Sequence, residues 1–305
     1  MNTPQVSTGF GRVQSLAGTR RRPDRVHAVL PPVTIGPIEE RLPLWRLIWD
    51  LAVVRRIVVI LLIAIVWESY ARWLDNPLSL PTLTETLQTL GSDILNGRIP
   101  QRLAVTLRIL LVGYGLGLLM AAVFTTLAVS TRFGTDLLST LTAMFNPMPA
   151  IALLPLALLW FGLGTPSLVF VIVHSVLWSI ALNTHAGFLS VSETQRMAGQ
   201  TFGLRGLRFV IGILVPAAFP AILSGLKIGW AFAWRTLIAA ELVFGVSAGQ
   251  GGLGWYIFEN RNLLDTAGVF AGLITVMIVG LFVEGVVFAA IERSTVRRWG
   301  MQRSQ

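Results

Sequence analysis

The sequence contains no cysteine, a single lysine and few charged residues of either sign. The lack of cysteine excludes a disulfide scaffold, a thiolate zinc site, an iron–sulfur cluster and cysteine catalysis. Charged residues make up 13% of the 305 residues, whereas a soluble domain carries about a quarter. The chain therefore has too little polar surface for a soluble protein of this length.

Motifs that bind phosphate or carry out catalysis are also missing. A Walker A loop ends in Gly-Lys-Ser/Thr, and the lone Lys227 has no such neighbours. The histidines at positions 27, 174 and 185 are scattered, and neither a His-Glu-x-x-His nor a Gly-x-Ser-x-Gly motif occurs. We therefore expect a chain that is not an enzyme and that binds no metal or cofactor itself.

One glycine motif is present but stands in an unsuitable context. Residues 249–254 match the dinucleotide pattern Gly-x-Gly-x-x-Gly, which functions only between a strand and a helix of a βαβ unit. Here the motif follows a long apolar run, so its glycines predict a flexible loop on the outer side of a membrane.

Long apolar runs dominate the chain, which is 54% hydrophobic with a mean hydropathy of +0.70. A helix needs about 20 mostly apolar residues to cross a bilayer. Six runs meet or approach this length, and they lie at Ile57–Trp73, Leu107–Val129, Leu137–Phe161, Ser167–Leu189, Ala217–Val246 and Thr266–Ile291. Pro147, Pro149 and Pro155 must break the third run, because proline donates no backbone hydrogen bond. We predict an all-α integral membrane protein with six transmembrane helices.

Further sequence signals predict one short helix and three places of close helix packing. Residues 83–95 predict a short helix that Thr82 or Thr84 caps and that Asn96 and Gly97 end. Three Gly-x-x-x-Gly pairs predict places where helices pack closely. These pairs are Gly113 with Gly117, Gly225 with Gly229, and Gly268 with Gly272.

Basic residues are distributed unevenly between the two sides of this predicted bundle. One side holds the nine tail arginines together with Arg132, Arg196, Arg205, Arg208, Lys227, Arg293, Arg297, Arg298 and Arg303. The opposite loops contain few arginines, and these are accompanied by carboxylates. The positive-inside rule then places both termini in the cytoplasm. Topology accounts for most of the net charge of +9, so we do not expect nucleic-acid binding.

The chain divides into three parts on this basis. Residues 1–55 are rich in arginine and proline and contain no secretory apolar core, which predicts a cytoplasmic tail that is largely disordered or lies in the membrane interface. A tail that regulates or docks is the alternative. Residues 56–298 form the transmembrane domain, and residues 299–305 form a cytoplasmic C-terminal tail.

The loop at residues 190–216, between the fourth and fifth runs, is longer than a connection requires. Ser192 and Gln195 form a capping-box pattern that predicts a helix start. Gly203 predicts the end of that helix, and a second helix then runs toward Pro216. Such a helix–turn–helix offers a knob for a groove in a partner protein.

This loop resembles the permease signature of binding-protein-dependent ABC importers. The signature reads Glu-Ala-Ala, three residues, Gly, nine residues, Ile-x-Leu-Pro. The matching positions are Ala198, Gly203, Ile213 and Pro216, and the departures are Met197 for the glutamate, Gly199 for an alanine and Val215 for the leucine. The wider chain, from about Ile57 to Arg298, is similar to the nitrate, sulfonate and taurine branch. The blocks that carry this similarity are residues 146–155, 159–162, 215–220, 231–242 and 252–254.

The resemblance implies a type I ABC importer permease fold in a bacterial inner membrane. It implies three kinds of partner: a second permease copy forming a homodimer, two ABC ATPase subunits that hold ATP and Mg²⁺, and a periplasmic or lipoprotein solute-binding protein. The loop 190–216 would insert into the ATPase as a coupling helix. The residues assigned to coupling are Arg196, Met197, Ala198, Gly199, Phe202, Gly203, Arg205 and Pro216.

The function we expect is ATP-driven import of a small anion by alternating access. An aliphatic sulfonate such as taurine is the first choice, with nitrate or an aromatic or heterocyclic compound as alternatives within the family. A stand-alone secondary transporter or channel, with His174, His185 and Glu284 as an ion relay, is the alternative from another class. The candidate residues of the translocation path are Arg235, Glu241, Trp178, Trp234 and Phe145.

Arg235 is the informative member of that set because it lies inside an apolar run. A charge within a span is costly and marks either a pathway or an ion pair. Its guanidinium suits an oxyanion, and it also suits a structural pair with a carboxylate. The sequence leaves both roles open.

Overall fold

The computed structural model describes residues 51–244 and 251–297, and every regular element in these ranges is helical. Residues 1–50 of the predicted N-terminal tail, and the C-terminal tail, lie outside the described residues, whereas residues 52–55 of the predicted tail begin a helix. The chain divides at Ile57 into two units. Of the first unit, the structure describes only the beginning of one helix, and the second unit holds the remaining helices.

Twelve α-helices follow one another in the described ranges. They are α1 Ala52–Leu74, α2 Leu83–Leu95, α3 Arg98–Ser130, α4 Arg132–Phe145, α5 Leu154–Phe161, α6 Thr165–Leu189, α7 Glu193–Thr201, α8 Gly206–Phe209, α9 Val215–Phe244, α10 Leu253–Asn262, α11 Thr266–Phe282 and α12 Ala289–Glu292. A 3₁₀ turn, Ala150–Leu153, precedes α5, and π-helical turns occupy Val210–Leu214, Val283–Phe288 and Arg293–Arg297. The all-α prediction is confirmed.

The described residues contain fewer candidate spans than the six that the sequence predicted. Within the described residues, four segments are long and apolar enough to cross a bilayer, namely Arg98–Ser130, Thr165–Leu189, Gly206–Val243 and Thr266–Val296. Helix α4 and the segment Ala150–Phe161 make a fifth if this pair, bent by 88°, forms one span. Helix α1 is not among them. The six-span count is therefore not confirmed.

The break in the third run lies where the prolines are. Pro147 and Pro149 stand between α4 and the 3₁₀ turn, and Pro155 is the second residue of α5. A proline donates no backbone hydrogen bond, so it is tolerated in the first turn of a helix but not in its interior. The predicted break is confirmed.

The short helix before the second span also follows its local signals. Thr82 Oγ1 accepts a hydrogen bond from Glu85 N at 3.1 Å, and the Glu85 carboxylate accepts one from Thr82 N at 3.0 Å. These two bonds satisfy helix-start donors that would otherwise lack partners. At the other end Asn96 caps α2, and Gly97 adopts a φ of +76°.

Helix α6 lies at the centre of the bundle, packed between α3 and α9. A Cβ atom built on Gly113 or Gly117 of α3 would lie 2.7–2.8 Å from Ile172 or Val176. On the other side, a Cβ atom on Gly225 of α9 would lie 2.8 Å from Asn183. The Gly-x-x-x-Gly pairs therefore serve the close packing that the sequence predicted.

Helices α8 and α9 form one helical segment rather than two, and Pro216 does not end it. Pro216 has no N–H with which to bond the carbonyl oxygen of Gly212, four residues earlier. The π-helical turn Val210–Leu214 lies directly before it. The wider π-helical turn accommodates the hydrogen bond that Pro216 cannot donate. Helix α9 then continues to Phe244.

Substituting the buried glycine Gly113 with valine tests this packing. We expect Gly113→Val to destabilise the protein by about 1–3 kcal/mol, because the new side chain overlaps Ile172. Gly115→Val is the matched control, since a Cβ atom there meets nothing within 4 Å. The thermal unfolding midpoint in detergent, followed by tryptophan fluorescence, should fall for the first variant and not for the second. Equal midpoints would contradict the packing described.

Candidate functional site

The loop between α6 and α9 has a well-defined turn at its tip. Ser192 Oγ accepts from Gln195 N at 3.4 Å at the start of α7. At its end, Leu204 N donates to Gly199 O at 3.1 Å, and Gly203 N donates to Gln200 O at 2.9 Å. This is a Schellman motif, and it requires the positive φ of +74° that Gly203 adopts.

Two of the predicted coupling residues face the protein rather than the solvent. The Arg196 guanidinium donates to Phe188 O at 2.5 Å and its Nε donates to Val191 O at 3.2 Å, which ties α7 to the end of α6. Gly199 is buried, and a Cβ atom there would lie 2.8 Å from Ile213. These residues attach α7 to the helices on either side of the loop.

The other predicted coupling residues are exposed. Met197 is 57% exposed and Phe202 is 83% exposed, and Ala198, Gly203, Arg205 and Pro216 are exposed as well. Leu207, which sequence analysis did not select, is 61% exposed beside them. We call Met197, Phe202 and Leu207 the apolar knob. Three large apolar side chains exposed on one short loop are typical of a docking surface.

Three of the predicted path residues line one cavity of about 450 Å³, which we call the Arg235 cavity. Phe145, Trp178 and Arg235 reach it from α4, α6 and α9. The remaining lining residues are Asn146, Pro147, Met148, Pro149, Ala150, Ile151, His174, Ser175, Ser179, Phe232, Thr236 and Ala239. The proline break between α4 and α5 thus supplies one wall.

The polar groups of the Arg235 cavity include two donor-only groups, the Arg235 guanidinium and the Trp178 indole. Arg235 is exposed, its Nε donates to Ala231 O at 2.9 Å, and it forms no ion pair with any residue in the described ranges. Trp178 Nε1 and both ring nitrogens of His174 have no hydrogen-bond partner there. No aspartate or glutamate lines the cavity. Such a set is complementary to an anion rather than to a cation.

Aromatic rings form the apolar part of the same cavity. Phe145 and Trp178 are stacked, with centroids 5.5 Å apart and planes 12° apart. His174 meets both rings edge-on, at 6.2 Å from each. The sequence suggested His174 for an ion relay, and the structure places it in the lining of the Arg235 cavity.

Glu241, another predicted path residue, is not part of this cavity. Its side chain is 1% exposed, and it accepts hydrogen bonds from Thr106 Oγ1 at 3.0 Å and from Gly254 N at 2.8 Å. Thr106 Oγ1 in turn accepts from Leu253 N at 2.7 Å. These bonds join α3, α9 and the start of α10, and we call them the Glu241 latch.

The latch explains the glycine motif that sequence analysis read as a flexible loop. A Cβ atom on Gly252 would lie 2.2 Å from both Glu241 Oε1 and Thr106 Oγ1. One on Gly254 would lie 2.7 Å from Ile238 O. In the described part of the motif, the glycines thus allow the backbone to approach Glu241 and Thr106 closely. Residues 245–250 lie outside the described ranges.

A second basic cavity, of about 740 Å³, lies along the first turns of α3. Arg98, Arg102 and Arg108 line it, and we call it the arginine cavity. Arg102 bonds Glu259 at 3.1 Å and Gly251 O at 3.0 Å. Arg108 forms no ion pair or hydrogen bond with the described residues. Sequence analysis missed Arg108, although it lies inside the predicted second span.

Asp93 connects this cavity to α10. It accepts a hydrogen bond from the Tyr256 hydroxyl at 2.6 Å and pairs with Arg98 at 3.4 Å. Burial, and then the bond to Asp93, raise the pKa of Tyr256. The phenol therefore remains protonated and keeps donating to the carboxylate.

Comparison with known proteins identifies the kind of molecule that carries these features. The family model described as "binding-protein-dependent transport system inner membrane component" matches residues 113–296, which is more than half of the chain. The match includes the loop with the apolar knob and most of the Arg235 cavity. The chain belongs to this family.

Individual relatives are permeases of transport systems. A putative ABC transporter permease of Methanocaldococcus jannaschii is 30% identical over 73% of this chain and 84% of its own length. The taurine transport system permease TauC of Escherichia coli is 29% identical over 81% of this chain and 92% of its own. The nitrate import permease NrtB of a Synechocystis strain is 28% identical over 82% and 92%. The permease is thus of the nitrate, sulfonate and taurine type.

Removing the latch hydroxyl tests whether the Glu241 latch stabilises this permease. We expect Thr106→Val to lower the free energy of unfolding by about 1–3 kcal/mol, because a buried carboxylate loses a donor. Thr126→Val on the same helix is the control, since its hydroxyl bonds only to Ala122 O of its own helix, at 2.7 Å. Unfolding in detergent measures both. An undiminished stability for Thr106→Val would contradict the role of the latch.

Proposed function

We propose that this chain is the membrane-spanning subunit of an ATP-driven importer for a small organic anion, with an aliphatic sulfonate such as taurine as its cargo. The observation that carries the proposal is the Arg235 cavity. It holds a guanidinium inside a span, with no carboxylate in its lining. An unpaired charge in a span is costly, and an anionic cargo would offset that cost.

The donors of the cavity match an oxyanion. A guanidinium presents a planar fork of N–H groups that bonds two oxygens at once. The indole N–H of Trp178 and the imidazole of His174 lack partners among the described residues, and an oxyanion would accept hydrogen bonds from them. A sulfonate offers three such oxygens.

The size and apolar walls favour an organic anion over nitrate. A water molecule takes about 30 Å³ of liquid, so a cavity of about 450 Å³ holds far more than a four-atom ion. The stacked rings of Phe145 and Trp178 would contact a carbon chain. For taurine they would also face its ammonium group through cation–π attraction. Nitrate is the second candidate, because a nitrate import permease is among the relatives.

ATP hydrolysis would take place in separate ATPase subunits. The apolar knob would dock there, and Arg196 and Gly199 would pass its movement to α6 and α9. Both of these helices line the Arg235 cavity, so a shift of the loop would change the cavity directly. Two ATPase subunits carrying ATP and Mg²⁺, a second permease copy and an external solute-binding protein complete the assembly. Both termini would face the cytoplasm, as the arginine distribution predicts.

The first functional prediction concerns the knob. Phe202→Ala should abolish most ATP-driven uptake, because it removes an apolar side chain that is 83% exposed and anchors the docking surface. Phe133→Ala is the control, since Phe133 is similarly exposed, at 75%, outside the loop. Uptake into proteoliposomes containing the complete transporter measures both, and unfolding midpoints check the fold. Full uptake by Phe202→Ala would refute the docking surface.

The second functional prediction concerns the cargo site. Arg235→Gln should raise the KM for taurine uptake by about tenfold or more, the effect of losing one charged hydrogen bond. Arg261→Gln removes the same charge from an arginine that lies outside the Arg235 cavity, and it should leave KM unchanged. An unaltered KM for Arg235→Gln would remove Arg235 from the path. Uptake that persists without the ATPase would instead favour a secondary transporter.

A further inference from the structure

A third cavity, of about 430 Å³, lies between α9 and the segment that begins with α11. Its walls are mostly apolar and include Trp230 and Trp234. Three charged residues also line it, Lys227, Arg235 and Glu284. We call it the Glu284 cavity. Arg235 therefore belongs to two cavities at once, and the path residue Trp234 belongs only to this one.

Glu284 is an uncompensated carboxylate inside an apolar segment. It is exposed and lies in the candidate span Thr266–Val296. Among the described residues it makes no hydrogen bond or ion pair. A carboxylate at such a place is costly in a bilayer and requires a cation. Of the two cations in its cavity, Lys227 is already paired with Glu292, at 2.5 Å. The remaining cation is Arg235.

The register of the two helices brings Arg235 within reach. Lys227 and Glu292 pair across the two helices, and Trp234 Nε1 would lie 3.7 Å from a Cβ atom on Gly280. Glu284 follows one turn later, about 6 Å along the axis. This direction leads toward Lys227 and Glu292. The Arg235 side chain already leans the same way, since its Nε donates to Ala231 O.

The Arg235 guanidinium cannot bond an oxyanion in the Arg235 cavity and the Glu284 carboxylate at the same time. When it binds an oxyanion in the Arg235 cavity, its paired N–H groups are engaged. When it bonds the Glu284 carboxylate, they are not available to the cargo. We propose that Glu284 is an internal competitor of the cargo: the two side chains are unpaired in this structure, they pair at another step of the transport cycle, and that pairing releases the bound anion. This inference rests on the anion-import function proposed above.

Competition by Glu284 lowers the apparent affinity of the permease for its cargo and speeds the release of that cargo. A cargo that must displace Glu284 binds only the fraction of molecules in which Arg235 is free. Removing the carboxylate charge while keeping its shape should therefore tighten cargo binding and slow its release. A residue with only a structural role would lower activity without lowering KM.

Glu284→Gln in the complete transporter tests the proposal. Proteoliposomes containing the permease, its ATPase and its solute-binding protein are assayed for ATP-driven uptake of radiolabelled taurine, and of nitrate in parallel. For the anion that the wild type carries, we expect KM to fall by about fivefold or more and the maximal rate to fall with it. An unchanged or higher KM would overturn the proposal. A wild type that carries neither anion would overturn the proposed function and this inference together.

A double substitution shows whether the effect passes through Arg235. In the Arg235→Gln background, Glu284→Gln should leave KM where Arg235→Gln alone sets it. An effect of the same size in both backgrounds would mean that Glu284 acts elsewhere, for example against a second copy, and would overturn the proposal. If Glu284→Gln does not assemble, Glu284→Asp keeps the charge on a shorter arm and should lower KM in the same direction. An unchanged KM for that variant would count against the competition.

Discussion

The cost of placing a charge in a bilayer governs the arrangement of this protein. Four charged groups on the long helices, Lys227, Arg235, Glu241 and Glu284, each have a partner or line a cavity. Glu241 is buried and accepts hydrogen bonds from Thr106 and Gly254, and Lys227 pairs with Glu292. Arg235 and Glu284 remain without ion-pair partners in the described ranges, and both face cavities. The satisfied charges hold helices together, and we propose that the unsatisfied ones mark where the molecule handles an ion.

Helices α6 and α9 connect the Arg235 cavity to the loop at residues 190–216. Helix α6 is packed against α3 and α9 through glycines, and it carries His174 and Trp178 into the Arg235 cavity. Its last turn is held by Arg196 of α7. Because the loop is fastened at both ends, a force applied at the apolar knob would reach the cavity through rigid, well-packed elements. This arrangement suits a transport subunit driven from outside the chain.

Local signals in the sequence predicted much of this structure. The Thr82 cap, the turn at Gly203 and the break at Pro147 depend on residues close together in the chain, so each was predictable. The Glu241 latch joins Thr106 to a carboxylate 135 residues away, and no periodicity reveals such a pair. Glu241 and Arg235 were both predicted as path residues, and the structure places Glu241 in the latch, outside the Arg235 cavity. Arg108 was missed because a single arginine at the edge of an apolar run resembles an ordinary span end.

The central claim is that an anion binds to Arg235 during transport. The most direct test is a structure of the assembled transporter, with a hydrolysis-deficient ATPase and cargo-loaded binding protein, in a lipid bilayer. We predict oxyanion density between Arg235 and Trp178, with no bond between Glu284 and the guanidinium. Density for the cargo elsewhere along the path, with Arg235 bonded to a carboxylate of the protein, would contradict it.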